Sequence, residues 1–312
     1  MTDARSTFLA SAIVLFSGAT WGIYWLPIRV IADGGLAGAW GTLIIVAAAT
    51  VALIPSAIRN WTSIRKSSPI ALISIALGGF AFVLYSVGLL YGRVAIIVIL
   101  FYLTPLWSTL IGRLFLGWSV SPFRLWALVI GLIGLIVMLG AGGEMPIPQG
   151  FGEWLGLISG FLWSVATTGI RVKATTGAGA TAFIFVLGAT FGCAILAPVL
   201  DPFPSSVAPS ALILAILTGA IWWSLSITGL MWASARLEPA RVGILLMTEV
   251  LLASISAAIL AEETLGLIEI VGGILVLVAG LLEVFPNQTR QQPHIKMPPV
   301  RDPKDSLRDS HR

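Results

Sequence analysis

Apolar runs of about 20 residues recur along almost the whole chain, each long enough to cross a hydrocarbon core about 30 Å thick. A chain built this way has few options. With no water inside a bilayer, every backbone N–H and C=O must be satisfied within the protein, which leaves helices and closed barrels. The runs are continuous rather than alternating, so helices fit. Ten spans are expected, at 7–31, 36–58, 69–91, 93–115, 122–141, 153–173, 178–200, 208–233, 240–260 and 265–285. Composition agrees: 10% of the 312 residues are charged, against about 25% in a soluble domain. The first run is too long for a signal-peptide core and contains Trp21, Trp25 and Pro27, so it reads as a retained helix.

Net charge is +4, but its distribution argues for a membrane and against nucleic acid. With the N-terminus inside, 16 of the 18 Lys and Arg residues fall in cytoplasmic segments, leaving Arg29 and Arg93 outside. This asymmetry is the one expected for ten spans with both termini cytoplasmic. The single cysteine, Cys193, lies in an apolar span and has no internal disulfide partner, and His294 and His311 lie in the tail. Metal sites and Cys–His nucleophile pairs are therefore not expected, and neither is a cofactor. No Gly-rich Lys loop for a nucleotide is present.

The polar segment "GGEMPIPQGFG", 142–152, divides the spans five and five. "SGATWGIYWLPIRV" from Ser17 and "SGFLWSVATTGIRV" from Ser159 align at a shift of 142, and "YLTPLWSTLIGRLFLGW" from Tyr102 aligns with "LMTEVLLASISAAILAEE" at a shift near 145. Five spans per half is an odd number, so the second copy must enter the membrane from the opposite side. The expected architecture is an all-α polytopic membrane protein of two inverted five-helix repeats, 1–141 and 153–285, joined by an extracytoplasmic linker, with a disordered tail at 286–312. GxxxG pairs at Gly18/Gly22, Gly88/Gly92, Gly156/Gly160 and Gly188/Gly192 predict close helix packing.

Several aromatic residues fall near span centres, where an indole N–H needs a partner and so faces the bundle. Trp21, Trp107, Trp163, Trp222 and Trp223 are of this kind, with Thr167 one turn from Trp163 and Ser226 one turn from Trp222. Tyr24, Phe80, Tyr85 and Tyr102 join the same candidate lining; the alternative is packing between helices. Pro105, mid-span beside Thr104, removes an N–H and crowds the carbonyl of Phe101. The break either opens backbone to a cavity or is healed by Thr104 or Ser108.

Glu249 lies half-way along 240–260 in "GILLMTEVLLASISAAIL", whereas Glu269 and Glu283 lie near span ends. A midplane acid costs roughly 2.5–3.5 kcal/mol. Three roles fit it: a protonated donor to another helix, a contact for a substrate cation, or a proton-coupling carboxylate. The lack of midspan Lys or Arg disfavours anionic substrates. A neutral-to-acidic aromatic cavity suits neutral or zwitterionic solutes with an apolar side chain.

Ten spans, an inverted repeat and the paired fourth and ninth helices resemble the EamA type of the drug/metabolite transporter superfamily over residues 7–285. That family often carries a mid-span Pro and a terminal Glu in both helices. Here Pro105 matches, Trp118 replaces the first acid, Glu263 matches the second, Val250 replaces the second Pro, and Glu249 precedes it. More closely, the chain is similar to aromatic amino acid exporters of the YddG type. The resemblance implies a bacterial inner-membrane carrier exporting Phe, Tyr, Trp and related metabolites by alternating access. The expected partners are a small-molecule substrate and the lipid bilayer, with a monomer as the expected state. The candidate substrate-binding residues are Trp21, Tyr24, Phe80, Tyr85, Tyr102, Thr104, Pro105, Trp163, Thr167, Trp222 and Glu249. Export of lipophilic cationic drugs, with Glu249 as counter-charge, is the alternative; an intramembrane enzyme or a scaffold is the reading outside transport.

Overall fold

The computed structural model describes residues 2–89, 91–92, 94–140, 147–173, 176–260 and 266–284, with backbone alone at 2–4, 94, 95, 254, 257, 258, 269, 283 and 284. Arg93, Glu263, residues 142–146 of the expected linker and the tail lie outside the described residues, as do the side chains of Glu269 and Glu283.

Every element among the described residues is helical. In chain order these are α1 (Thr2–Gly22), α2 (Trp25–Asp33), α3 (Gly38–Arg59), α4 (Trp61–Lys66), α5 (Pro69–Gly88), α6 (Val94–Phe101), α7 (Thr104–Leu116) and α8 (Pro122–Leu139). Then come α9 (Phe151–Lys173), α10 (Ala178–Leu200), α11 (Pro209–Leu217), a π-helical turn (Thr218–Trp223), α12 (Ser224–Ser234), α13 (Pro239–Leu246), α14 (Thr248–Leu260) and α15 (Leu267–Val284). Prolines start many of them, because the first helical position has no intrahelical use for its N–H. At α5 and α8 the preceding serine completes the cap: Ser68 Oγ accepts from Ala71 N, and Ser121 Oγ from Arg124 N, each at 3.2 Å.

Eight helical stretches are long and apolar enough to cross a bilayer: Arg5–Asp33, Gly38–Arg59, Pro69–Gly88, Ile96–Leu116, Pro122–Leu139, Phe151–Lys173, Ala178–Leu200 and Pro209–Ser234. These make the chain a multi-pass membrane protein. The expected spans 240–260 and 265–285 are not among the eight; α13, α14 and α15 occupy them, with a shorter apolar stretch at Ile270–Leu282. Large apolar side chains such as Phe115, Val199 and Leu225 point outward and are 70–79% exposed, as they should be where lipid is the solvent.

Helix pairs approach closely through glycine. A Cβ on Gly79 of α5 would overlap the Phe185 carbonyl of α10, and one on Gly188 of α10 would overlap the Ala76 carbonyl of α5. Gly18 and Gly22 seat α1 on the start of α14, where added Cβ atoms would lie 2.8 Å from Thr248 Oγ1 and 2.6 Å from the Glu249 carbonyl. Gly156 and Gly160 do the same for α9 against Ile97 and Phe101 of α6. Small residues bring backbones within contact where lipid offers no hydrophobic drive for association.

Among the described residues four spans depart from regular α-helix: α1 and α2 part at Ile23–Tyr24, and three further departures fall at the buried residues Tyr102, Met247 and Trp223. The α6–α7 break falls at Tyr102–Leu103, so Pro105 sits in the first turn of α7, where its missing N–H costs little. The Phe101 carbonyl instead accepts the Thr104 hydroxyl at 2.5 Å, so Thr104 heals the break. The α13–α14 break falls at Met247 without any proline. There Val250 N donates to the Met247 carbonyl at 3.2 Å rather than to that of Leu246. The last departure is the π-helical turn carrying Trp222 and Trp223, a geometry frequent at functional sites.

Candidate functional site

The π-turn swings Trp223 into the centre of the bundle, where it is 1% exposed. Its ring stacks on Trp21 with centroids 5.1 Å apart and on Tyr24 at 5.4 Å, and lies 4.5 Å from Phe82. Trp21 continues the contact edge-on to Trp163 at 6.5 Å, and Trp163 reaches Phe101 at 6.0 Å. Phe101 touches Tyr85 at 4.4 Å and Tyr102 at 5.2 Å. One unbroken chain of rings thus runs from the π-turn to the α6–α7 break, contributed by α1, α5, α6, α9 and the π-turn. Tilted, stacked and edge-on geometries of this kind add about 0.5–1.5 kcal/mol per pair beyond buried area.

At the far end of the chain of rings the polar groups gather. The Tyr102 hydroxyl lies 2.7 Å from Glu249 Oε2 and 2.9 Å from the Leu246 carbonyl at the α13–α14 break. Tyr85 lies within electrostatic reach of the same carboxyl. The two breaks are therefore bridged by one phenol. Among the described residues no Lys, Arg or His side chain bonds Glu249.

The candidate residues are not all brought together. Trp21, Tyr24, Tyr85, Tyr102, Trp163 and Glu249 join the ring chain or its polar end. Trp222 touches Tyr24 edge-on at 6.4 Å. Thr104 and Pro105 form the α7 start beside it. Phe80 lies elsewhere, against Gly192 of α10, because it is two residues and about half a turn from the face of α5 that carries Phe82. The Thr167 hydroxyl bonds back to the Trp163 carbonyl at 2.8 Å and so holds its own helix. Ser226 accepts not from Trp222 but from the Trp21 indole, at 2.7 Å. Phe82, Phe101 and the Leu246 carbonyl belong to the site without having been singled out for it, while Trp223, expected among the bundle-facing rings, and Ser226, expected beside Trp222, join it. Phe82 was legible, since it shares a helical face with Tyr85 three residues on; the Leu246 carbonyl was not, because no proline marks that break.

Polar contacts tie helices together at both ends of the spans. At one, Asp201 after α10 accepts from Ala39 N at 3.2 Å and from the Tyr91 hydroxyl at 2.9 Å, and its carbonyl accepts the Trp40 indole N–H at 3.2 Å. At the other, Arg124 of α8 pairs with Glu238, and Arg171 of α9 donates to the Ala235 carbonyl at 2.7 Å. The buried Glu153 is a local matter: its Oε2 accepts Gln149 N and Gly150 N at the start of α9. Among the described residues no group of His, Cys, Asp or Glu is arranged to hold a metal.

No protein-family model matches the chain, and no curated protein matches it. A solved structure described only as "Crystal structure of protein" superposes with a TM-score of 0.72 at 17% identity, covering 88% of this chain and 95% of that one. The chain shares the fold of that structure.

Proposed function

We propose that the protein is a secondary transporter of the bacterial inner membrane that exports aromatic amino acids and related neutral metabolites. It works by alternating access between two inverted five-helix repeats that together cross the bilayer ten times, with both termini cytoplasmic. The observation that carries this reading is the Glu249–Tyr102–Leu246 cluster at a helix break, continuous with a chain of aromatic rings. Trp21 meets Trp163, its match at the shift of 142, as residues close to a two-fold axis in the membrane plane would. Gly18 on the α13–α14 break mirrors Gly160 on the α6–α7 break. Broken helices around a midplane site are a recurrent carrier design.

A zwitterionic substrate fits this lining. Its ammonium goes to Glu249 and the Leu246 carbonyl, its ring stacks among Trp21, Tyr85 and Trp163, and its carboxylate faces the N-terminus of α7, where first-turn N–H groups lack intrahelical acceptors. Counterflow tests the reading: liposomes containing the protein and loaded with unlabelled Phe or Trp should take up the labelled amino acid. Uptake no greater than in empty liposomes, with folded protein confirmed, refutes it and moves lipophilic cations to the front.

A further inference from the structure

The Tyr102 phenol has one proton, yet two oxygens lie within hydrogen-bond distance of it: the Leu246 carbonyl at 2.9 Å and Glu249 Oε2 at 2.7 Å. The Leu246 carbonyl can only accept. Its ordinary helical donor, the N–H of Val250, has turned to Met247, so the phenol is the donor that the described residues offer it. With the phenolic proton directed there, the contact between Tyr102 Oη and Glu249 Oε2 sets lone pairs against lone pairs unless the carboxyl brings a proton of its own. A protonated Glu249 donates to Tyr102 Oη, Tyr102 donates to Leu246, and all three groups are satisfied together.

Among the described residues no hydrogen bond or ion pair to a second charged side chain is made by Glu249. α5 presents Tyr85, and the α6–α7 break presents Tyr102. α1 presents Gly18 and Gly22, with the nearby Thr20 hydroxyl bound to the Ser17 carbonyl. On α14 itself, Thr248 Oγ1 donates to the Leu245 carbonyl. Arg241 of α13 donates to Ser11 Oγ at 2.9 Å, two turns away along its helix, and the acids of α15 lie outside the described side chains.

We infer that Glu249 is a proton-binding site whose proton exchanges with the substrate's ammonium group, which makes the carrier a proton/solute antiporter. The inference rests on the transport role proposed above. As R–NH3⁺ arrives, the Glu249 carboxyl releases its proton to water on that side, and the carboxylate pairs with the ammonium. Tyr102 then turns its proton to the carboxylate and frees the Leu246 carbonyl as a second acceptor for the ammonium. After the repeats reorient, the solute leaves and Glu249 takes a proton from the opposite side. One proton moves against one solute, and no covalent bond to carbon changes.

Two measurements on the full-length protein decide this. In liposomes with the membrane potential clamped at zero, a lumen one pH unit more acid than the medium should concentrate labelled Trp about tenfold at equilibrium for one-to-one exchange. Glu249→Gln should abolish the concentration. Counterflow without concentration overturns the antiport and leaves the carrier reading standing. Absence of counterflow for both Phe and Trp overturns the carrier reading, and the antiport with it. The second measurement needs no transport: dicyclohexylcarbodiimide reacts with protonated carboxyls in apolar surroundings. It should label the wild type at Glu249, and excess Trp should suppress the label. No Glu249 label on folded wild type at mildly acid pH, with Glu249→Gln as the blank, overturns the proton site. Labelling that Trp leaves unchanged, in protein active in counterflow, overturns the exchange.

Discussion

Tyr102→Phe deletes one oxygen atom and leaves the ring where it is, in contact with Phe101 at 5.2 Å. What disappears is the donor to the Leu246 carbonyl and the acceptor for Glu249. Tyr102 is 1% exposed, so water does not replace the lost group. A buried polar group left without a partner costs about 1–3 kcal/mol. Between membrane helices the cost is reduced, because the unfolded chain in lipid also finds partners; such bonds average about 0.6 kcal/mol and reach about 1.7. Two contacts are lost here, so the expected destabilisation is about 1–2 kcal/mol. The assay is reversible unfolding in mixed micelles followed by the fluorescence of the 12 tryptophans. Glu249→Gln is the informative companion. Its amide N–H₂ can donate to Tyr102 Oη as a protonated carboxyl does, so it should cost no more than about 0.5 kcal/mol. Wild-type stability in Tyr102→Phe would show that the break at Met247 does not depend on the phenol. A Glu249→Gln cost larger than that of Tyr102→Phe would show that the carboxyl is not the donor, and would refute the hydrogen count on which its proton rests.

Gly22→Ala should separate α1 from α14, because its methyl would lie 2.6 Å from the Glu249 carbonyl and 2.8 Å from Ala253 N, both backbone atoms; Gly150→Ala, with open space around it, is the control. The expected loss is about 1–3 kcal/mol, read in the same micelles, and equal stability of the two variants would refute the close packing. Trp21→Phe removes the indole bond to Ser226 and part of the stack on Trp223. It should raise the half-saturation concentration for Trp counterflow by about threefold to tenfold, the equivalent of about 0.6–1.4 kcal/mol, and an unchanged value would place the substrate elsewhere. Arg124→Ala breaks a pair in which Glu238 is 47% exposed. Its stability should stay within about 1 kcal/mol of wild type; a larger loss in micelle unfolding would refute the reading of the pair as a solvent-screened surface contact.

Apolar run length alone determined that the chain is helical and crosses a membrane, because a bilayer tolerates no unsatisfied backbone and so ties span length to its own thickness. The match of Trp21 with Trp163 and the acid at Glu249 were equally legible, since each is a property of position along the chain. Which ring faces which was not. Phe80 and Phe82 are the same residue type two positions apart, and only the packing of α5 against α10 decided that one sits on Gly192 and the other on Trp223. The α13–α14 break has no proline to announce it, and the π-turn that redirects Trp223 has no signature beyond its two indoles. Tertiary structure decided the α13–α14 break because the Leu246 carbonyl gives up its own helical donor beside a phenol from another span, which accepts Glu249 in turn.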